Sequence, residues 1–473
     1  MKNLRKTKAK KVLSISIIII SIISFSAILY ATNTVIANPT TITFEDKNLY
    51  DSIKKQLSAK KMSYNGNDVD KTIEISTNDV EKIEEFDLST STISNLSGLE
   101  NFTNLTSINL SKNTIAVANP LTQLKKLEIL NISENPINTE ILSTISELTT
   151  LKQLNVANTQ MNGDQLDYLK NLKSLETLTL ASNNISAVEK ISGLKSISKL
   201  DISVNTSFTD FTQVTSFKSL EELNVSGTGI TTFDGIKNLT NLEKLYAADN
   251  KSITTTAGIN PLFETQRVTV TDPETEKQVT VVEPFLNKLT VLNLSSIGIT
   301  GKRPSISFSN IGKLTTLQEL HLASNDINNI SGVTNLVHLN YLDLKYNKLT
   351  TNSIQSLIQK KNNEVVQSDT LLAEKIDLRG NEIVDISIFN SYPANIRWLD
   401  LSENHIYDVE PIRKHSCSQA LYLQDQDITF GLYNKTANVD HYIILPTIFT
   451  YSKDSSKFIY SKDAEYEYTD GVT

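Results

Sequence analysis

Five histidines, His321, His338, His405, His415 and His441, are the only imidazoles in this 473-residue chain, and they are the first residues to weigh for acid–base chemistry. His321 stands between two leucines in "LQELHLASNDI" (317–327). Its best carboxylate partner is Asp343, 22 residues further on. Catalysis needs more than a pair: a nucleophile or metal, and a pocket that holds the reacting atoms. No G-x-S-x-G, H-E-x-x-H, phosphate-binding P-loop or dinucleotide glycine pattern accompanies these residues. Five His and the single Cys417 leave little material for a zinc cluster. One cysteine also excludes an internal disulfide framework, so packing must supply the stability. With Ser, Asp and Glu abundant, a His–Asp neighbour arises by chance. The expectation is no enzyme, no cofactor and no resident metal.

The totals narrow the class further. The formal charge is −8, which argues against a nucleic-acid binder, since that needs a basic face. The first 37 residues differ from the rest. Lys2, Arg5, Lys6, Lys8, Lys10 and Lys11 precede an apolar run from Val12 to Tyr30, and Val35 and Ala37 offer a small-residue cleavage site. This pattern predicts a secretory signal peptide over 1–37. The alternative is an uncleaved anchor, the only route by which this chain would hold a membrane, although Ser14, Ser16, Ser21, Ser24 and Ser26 weaken such a span. Loss of the segment deepens the charge from −8 to −14.

Positioning of any site rests on a repeat. The segments "LTSINLSKNTI" (105–115), "LETLTLASNNI" (175–185), "LEELNVSGTGI" (220–230), "LNYLDLKYNKL" (339–349) and "IRWLDLSENHI" (396–406) align without gaps. Fourteen such segments start at 83, 105, 127, 151, 175, 197, 220, 242, 289, 317, 339, 373, 396 and 418. All fit L-x-x-L-x-L-x-x-N-x-L, the leucine-rich repeat signature. Positions four and six point inward on a short strand, and a lone unit cannot bury that face, so units must stack into a parallel sheet. Asn at position nine turns the chain and bonds backbone groups that the turn leaves open. Nine units have it; Ser91, Thr159, Thr228 and Gln426 are partial substitutes, and Ile297 predicts a different turn. A 22-residue period leaves room on the return side for 3-10 turns or short helices. The fold class expected is an α/β solenoid of about 14 units with a concave parallel sheet.

The 22-residue period, with "LxxLxLSxNxI" followed by "SGLENFTN" (97–104) or "DGIKNLTN" (234–241), resembles the internalins. That resemblance implies a leucine-rich repeat protein on the surface of, or secreted by, a Gram-positive bacterium. "TFEDKNLYDSIKKQL" (43–57) is similar to the helical cap that precedes internalin repeats, with Phe44, Leu49, Ile53 and Leu57 on one apolar face. The expected organisation is a helical cap over 38–82, repeats over 83–428 and a partial immunoglobulin-like β region over 429–473. About 45 residues follow Ile428; a full sandwich takes roughly 100, so either the chain continues or the cap is reduced. Unlike wall-anchored internalins, no wall-sorting motif follows, which favours release. Three interruptions break the period: a hairpin insertion at 264–283 around "DPETEK", "GKRPSISFS" (301–309), and "NSIQSLIQKKNN" (352–363), which suggests a helix. Such insertions sit at binding surfaces or are tolerated decoration.

Recognition is then the strongest expectation. Positions three, five and seven face outward from the strand onto the concave side. In the later units they gather Tyr246, His321, Tyr341, Asp343, Asp377, Trp398, Asp400 and Tyr422, with Tyr346 at the strand end. Exposed Tyr and Trp are common interface anchors, so these nine residues are the candidate contacts with a protein partner. Lys345, Lys375 and Arg379 flank the acidic column. A glycan is the alternative ligand, because aromatic faces and carboxylates also suit sugars. A purely structural face remains open, since Tyr is a good strand former. Three carboxylates on separate strands without a loop motif are a poor calcium signal. The function expected is adhesion- or virulence-type protein binding, the alternatives being a glycan-binding surface protein and a structural envelope component.

Overall fold

A computed structural model describes residues 38–298, 303–357, 360–361, 364–365, 373–391, 397–408, 410–413 and 420–426. The expected signal peptide, the expected immunoglobulin-like region, His415, His441 and Cys417 lie outside the described residues. The chain divides into two compact units, one running to Met161 with Gln165–Leu175, the other comprising Asn162–Asp164 and the chain from Glu176.

The first unit opens with more than a helix. Strands β1 (Pro39–Thr43), β2 (Tyr64–Asn67) and β3 (Thr72–Ser76) form an antiparallel sheet in the order β1-β3-β2. Helix α1 (Lys47–Ala59) buries Leu49, Ile53 and Leu57, as their spacing predicts, and also Tyr50, while Phe44 is buried but precedes the helix. Asp46 caps it, accepting hydrogen bonds from the N–H groups of Asn48 and Leu49 at 2.7 and 3.2 Å. The other carboxylate oxygen of Asp46 accepts from Ser94 N–H at 2.7 Å, which ties the helix start to the first repeat. The sheet went unread in the sequence because β2, "YNGN", carries no apolar alternation.

Four repeat strands follow in this unit: β4 (Glu85–Asp87), β5 (Ser107–Asn109), β6 (Ile129–Asn131) and β7 (Gln153–Asn155). They are parallel, with Phe86, Ile108, Leu130 and Leu154 in register. Of the two longer units, the one starting at 127 carries a true α-helix, α2 (Thr139–Ser146), capped by the Asn138 side chain. In the other, Gly163–Leu169 is a 3-10 helix instead.

The second unit carries ten repeat strands: β8 (Thr177–Thr179), β9 (Lys199–Asp201), β10 (Glu222–Asn224), β11 (Lys244–Tyr246), β14 (Val291–Asn293), β15 (Glu319–His321), β16 (Tyr341–Asp343), β19 (Lys375–Asp377), β20 (Trp398–Asp400) and β21 (Ala420–Tyr422). Each pairs in parallel with the next. Between β11 and β14, strands β12 (Thr265–Thr271) and β13 (Gln278–Pro284) pair antiparallel as a hairpin. The helix suggested for 352–363 is replaced by a 3-10 turn, Ser353–Leu357, and a two-residue ladder between β17 (Lys360–Lys361) and β18 (Glu364–Val365).

The core follows the repeat. In the unit from 220, Leu220, Leu223, Val225 and Ile230 are all fully buried. The turn after each strand has two regular devices. Position eight adopts a positive φ in all fourteen units, from Thr90 and Lys112 to Glu403 and Asp425, with glycine there only at Gly227 and Gly380. Val204 takes this position at φ 57° while 54% exposed. A β-branched side chain is strained in this conformation by about 1–2 kcal/mol and buries little here in return. Val204→Asn is therefore expected to raise the unfolding free energy by about 1 kcal/mol in urea titration.

The second device is the position-nine asparagine. Asn205 is fully buried; its amide donates to Leu180 O at 3.0 Å and Ile202 O at 2.9 Å, and its oxygen accepts from Ile185 N–H at 2.9 Å. Gln426 makes the equivalent bonds with a longer arm, to Leu401 O and from Ile406 N–H. The turn at Ile297 keeps the same backbone, contrary to expectation. Ser296 has φ 56° and Ile297 N–H still donates to Asn325 Oδ1 at 3.0 Å. That acceptor comes from the next unit, as it does for Asn325 N–H to Asn347 Oδ1, so the turn keeps this bond whatever side chain stands at 297, and Ile297 is itself fully buried.

Candidate interaction surface

Position five has a structural task that spacing alone did not reveal. In ten units it is Asp or Asn, and its side-chain oxygen accepts the N–H two residues on, as in Ser133 to Asn131 at 3.1 Å and Ser203 to Asp201 at 2.9 Å. This is an Asx turn, which ends the strand. Asp343, Asp377 and Asp400 belong to it, accepting from Lys345, Arg379 and Ser402 at 3.1, 3.1 and 2.9 Å. They are only 4, 5 and 9% exposed. The acidic column is thus largely buried, not an open outward face. The signal was legible: ten of fourteen position-five residues are Asx, and that bias is the mark of an Asx turn.

The four units without Asx at position five have Thr179, Tyr246, His321 and Tyr422. Three of these are candidate contacts, released from the turn. Tyr246 borders an open concavity of about 280 Å³ lined also by Thr179, Lys199, Asp201, Glu222 and Asn224. His321 lies edge-on to Tyr341, ring centroids 5.0 Å apart. Tyr341 meets Trp398 at 6.5 Å, and Trp398 meets Tyr422 at 5.8 Å. Tyr341 and Trp398 face each other across β19, whose residue in register with both is Lys375. The four rings therefore make one strip over β15, β16, β19, β20 and β21. Tilted and edge-on pairs hold aromatic rings in fixed positions, which lowers the entropy a partner must remove.

His321 sits opposite Asp343 in register. Its Nδ1 is 3.9 Å from Asp343 Oδ2 and its Nε2 3.6 Å from Glu319 Oε2, both too long for hydrogen bonds. His338 and His405 are exposed at separate places. Among the described residues no group of three His, Cys, Asp or Glu is placed to hold a metal ion. Tyr346 is not on the sheet face. It occupies position eight at φ 53°, 44% exposed, with the Arg379 guanidinium 5.8 Å from its ring centre. A Cβ on Gly380 would stand 2.3 Å from this ring, so the tyrosine requires glycine next door.

Lys345, flanking in the sequence, bridges two carboxylates, 3.3 Å from Asp343 and 3.8 Å from Asp377. Burial pushes Asp343 upward, but His321 and Lys345 outweigh it and hold the group below the ordinary range. Asp377 goes the other way: burial, with the charges of Asp343 and Asp400, pushes it up to about 6. Burial and the same carboxylates push the Tyr341 hydroxyl well up, so it stays a donor at neutral pH. A carboxyl raised on folding binds its proton more tightly in the native state. Stability is therefore greatest below the ordinary carboxyl pKa, declines as pH rises toward 6, and stays reduced above it. Asp377→Asn keeps the Asx acceptor and removes the charge. It is expected to gain about 2 kcal/mol of unfolding free energy at pH 7.5, with the gain vanishing near pH 4, as read by urea titrations across pH.

Among the described residues no helix is long and apolar enough to cross a membrane. Two leucine-rich repeat family models match, one over residues 126–148 and one over 313–333. No curated protein matches the chain. Among solved structures, an internalin (inlF) from Listeria monocytogenes is similar at 22% identity and a TM-score of 0.51, over 82% of this chain and 97% of that one. A leucine-rich repeat protein of Leptospira interrogans is similar at 22% identity and 0.52, over 74% and 86%. The fold is an internalin-like leucine-rich repeat fold.

Proposed function

We propose that this internalin-like leucine-rich repeat protein is exported by a Gram-positive bacterium and binds a protein partner, from a host or from the envelope, in an adhesion- or virulence-type role. The contact surface is the strip His321–Tyr341–Trp398–Tyr422, with Tyr246 and Tyr346 as outlying contacts. Asp343, Asp377 and Asp400 act beneath it, setting its charge and shape. Leucine-rich repeat folds are typically interaction scaffolds, and an open repeat surface suits a macromolecule better than small-molecule chemistry. The observation that carries the reading is the joined set of four rings at strand positions where the repeat's own rules call for Asx or leave the choice free. Rings held half-exposed in one contiguous row give a partner a preorganised apolar centre.

The experiment is binding of the exported chain to host cells and to bacterial envelope fractions, compared with a Tyr341→Ala/Trp398→Ala/Tyr422→Ala variant. Loss of binding in a folded variant supports the strip. Equal binding sinks it. Binding abolished by enzymatic deglycosylation of the target moves the reading to a glycan.

A further inference from the structure

A second site lies away from the strip, on the return side of the second unit. A cleft of about 710 Å³ opens between residues 303–309 and the turn that follows Asn325. It is walled by Ser305, Ser307, Ser309, Asn328 and Ser331, with Arg303 and Asp326 beside them. Its apolar floor is covered: Ile306, Phe308 and Ile327 are 9, 2 and 5% exposed. The back wall is close-packed, because a Cβ on Gly332 would stand 2.1 Å from the Phe308 carbonyl oxygen. The volume is that of a small-ligand pocket.

The cation in this cleft is unusual. The Arg303 side chain is 14% exposed, and its Nε and Nη1 are closed off from solvent with no hydrogen-bond partner among the described residues. Asp326 Oδ2 lies 3.2 Å from Nε without the direction of a hydrogen bond. That carboxylate is shared, its other oxygen 3.3 Å from Lys348 Nζ. Two cations on one carboxylate leave a net positive charge at this place in an acidic chain. Orphaned buried donors are rare in folded proteins, and a buried charge offset only by a shared, poorly directed carboxylate is costly. Arg303 belongs to the "GKRPSISFS" insertion, so the repeat itself does not demand it.

We propose that this cleft binds a small polyhydroxylated anion, a carboxylate or phosphate carried on a polyol. The anionic group takes the place of the acceptor that Arg303 lacks, and draws the guanidinium away from Asp326. The serine hydroxyls and the Asn328 amide serve the ligand hydroxyls. Asn325, although it lines the cleft, is already spent: its amide donates to Leu294 O and Leu322 O, and its oxygen accepts from Ile297 N–H.

The test is calorimetric titration of the full chain with glucuronate and with glycerol 3-phosphate. Glucose and glycerol serve as uncharged counterparts, acetate and inorganic phosphate as anions without a polyol. One charged polyol is expected to bind, and which one separates carboxylate from phosphate. Arg303→Gln is expected to weaken that binding at least tenfold, and Asp326→Asn to tighten it several-fold by removing the competing carboxylate. The ligand-free Arg303→Gln protein is expected to melt no lower than the parent, since a buried guanidinium with open donors and only a shared carboxylate to offset it is gone. Four results would overturn the proposal: no heat from either charged polyol, equal binding of the uncharged counterparts or of the bare anions, indifference to Arg303→Gln, or a lower melting temperature of that variant.

Discussion

Asn347→Ala is expected to lower the unfolding free energy by about 4 kcal/mol, read by urea titration followed by circular dichroism. The size follows from what one side chain holds. Its amide donates to Leu322 O at 3.0 Å and Leu344 O at 2.9 Å. Its oxygen accepts from Asn325 N–H at 2.9 Å and Ile327 N–H at 3.0 Å. Asn347 is 7% exposed, so water does not replace these bonds once they are lost. Each buried backbone group left open costs about 1–3 kcal/mol, with part recovered by relaxation. The damage also spreads, because Asn325 is itself a ladder residue bonded to Leu294 and Leu322. Asn347→Gln is expected to recover part of the loss, as Gln426 performs the same role at position nine. A loss under 1 kcal/mol for the alanine variant would mean that the turns are held by packing alone.

The triple variant Tyr341→Ala/Trp398→Ala/Tyr422→Ala is expected to weaken partner binding at least about 100-fold, close to 3 kcal/mol, in surface plasmon resonance. Central aromatic anchors each contribute around 2 kcal/mol, and neighbouring anchors are not additive. These three rings touch one another in sequence, so removal of one also frees the others. The fold is expected to survive. Leu342 and Leu399, fully buried beside the mutated positions, carry the core, and the rings themselves are only half-buried. Tyr407→Ala is the control: this tyrosine is 59% exposed and lies outside the strip, and its loss is expected to leave affinity unchanged. A triple variant that binds like the parent, or a Tyr407 variant that fails equally, would remove the strip from the interface.

Much of this molecule was readable from spacing. Leucines at positions four and six alternate with a strand period of two, and each unit's apolar face demands another unit beside it. That reasoning yields the parallel strands, the buried positions and the turn asparagines, because every one of them is a local property repeated in phase. It fails where local pattern is absent. The β-sheet next to α1 has a polar strand, Tyr64–Asn67, that only pairing with Thr72–Ser76 explains. The segment 352–363 has helical spacing but starts with a 3-10 turn. Ile297 predicted a different turn, yet its own N–H still finds an acceptor in Asn325, 28 residues on.

The candidate surface divides the same way. Sequence by itself determined which residues occupy outward positions, and so placed Tyr246, His321, Tyr341, Trp398 and Tyr422 on strand positions and Tyr346 at a strand end. Only the tertiary structure decided which of them act together. Asp343, Asp377 and Asp400 share position five with His321 and Tyr422, but they fold back onto their own backbone and are buried, while the rings do not. Trp398 reaches Tyr341 across the strand of Lys375, a contact between residues 57 positions apart. Arg303 is one basic residue among 45 in the sequence, and only its surroundings mark it. The physical reason is the range of the interactions. Periodic burial is set by neighbours along the chain, whereas hydrogen-bond satisfaction and ring contact depend on neighbours in space.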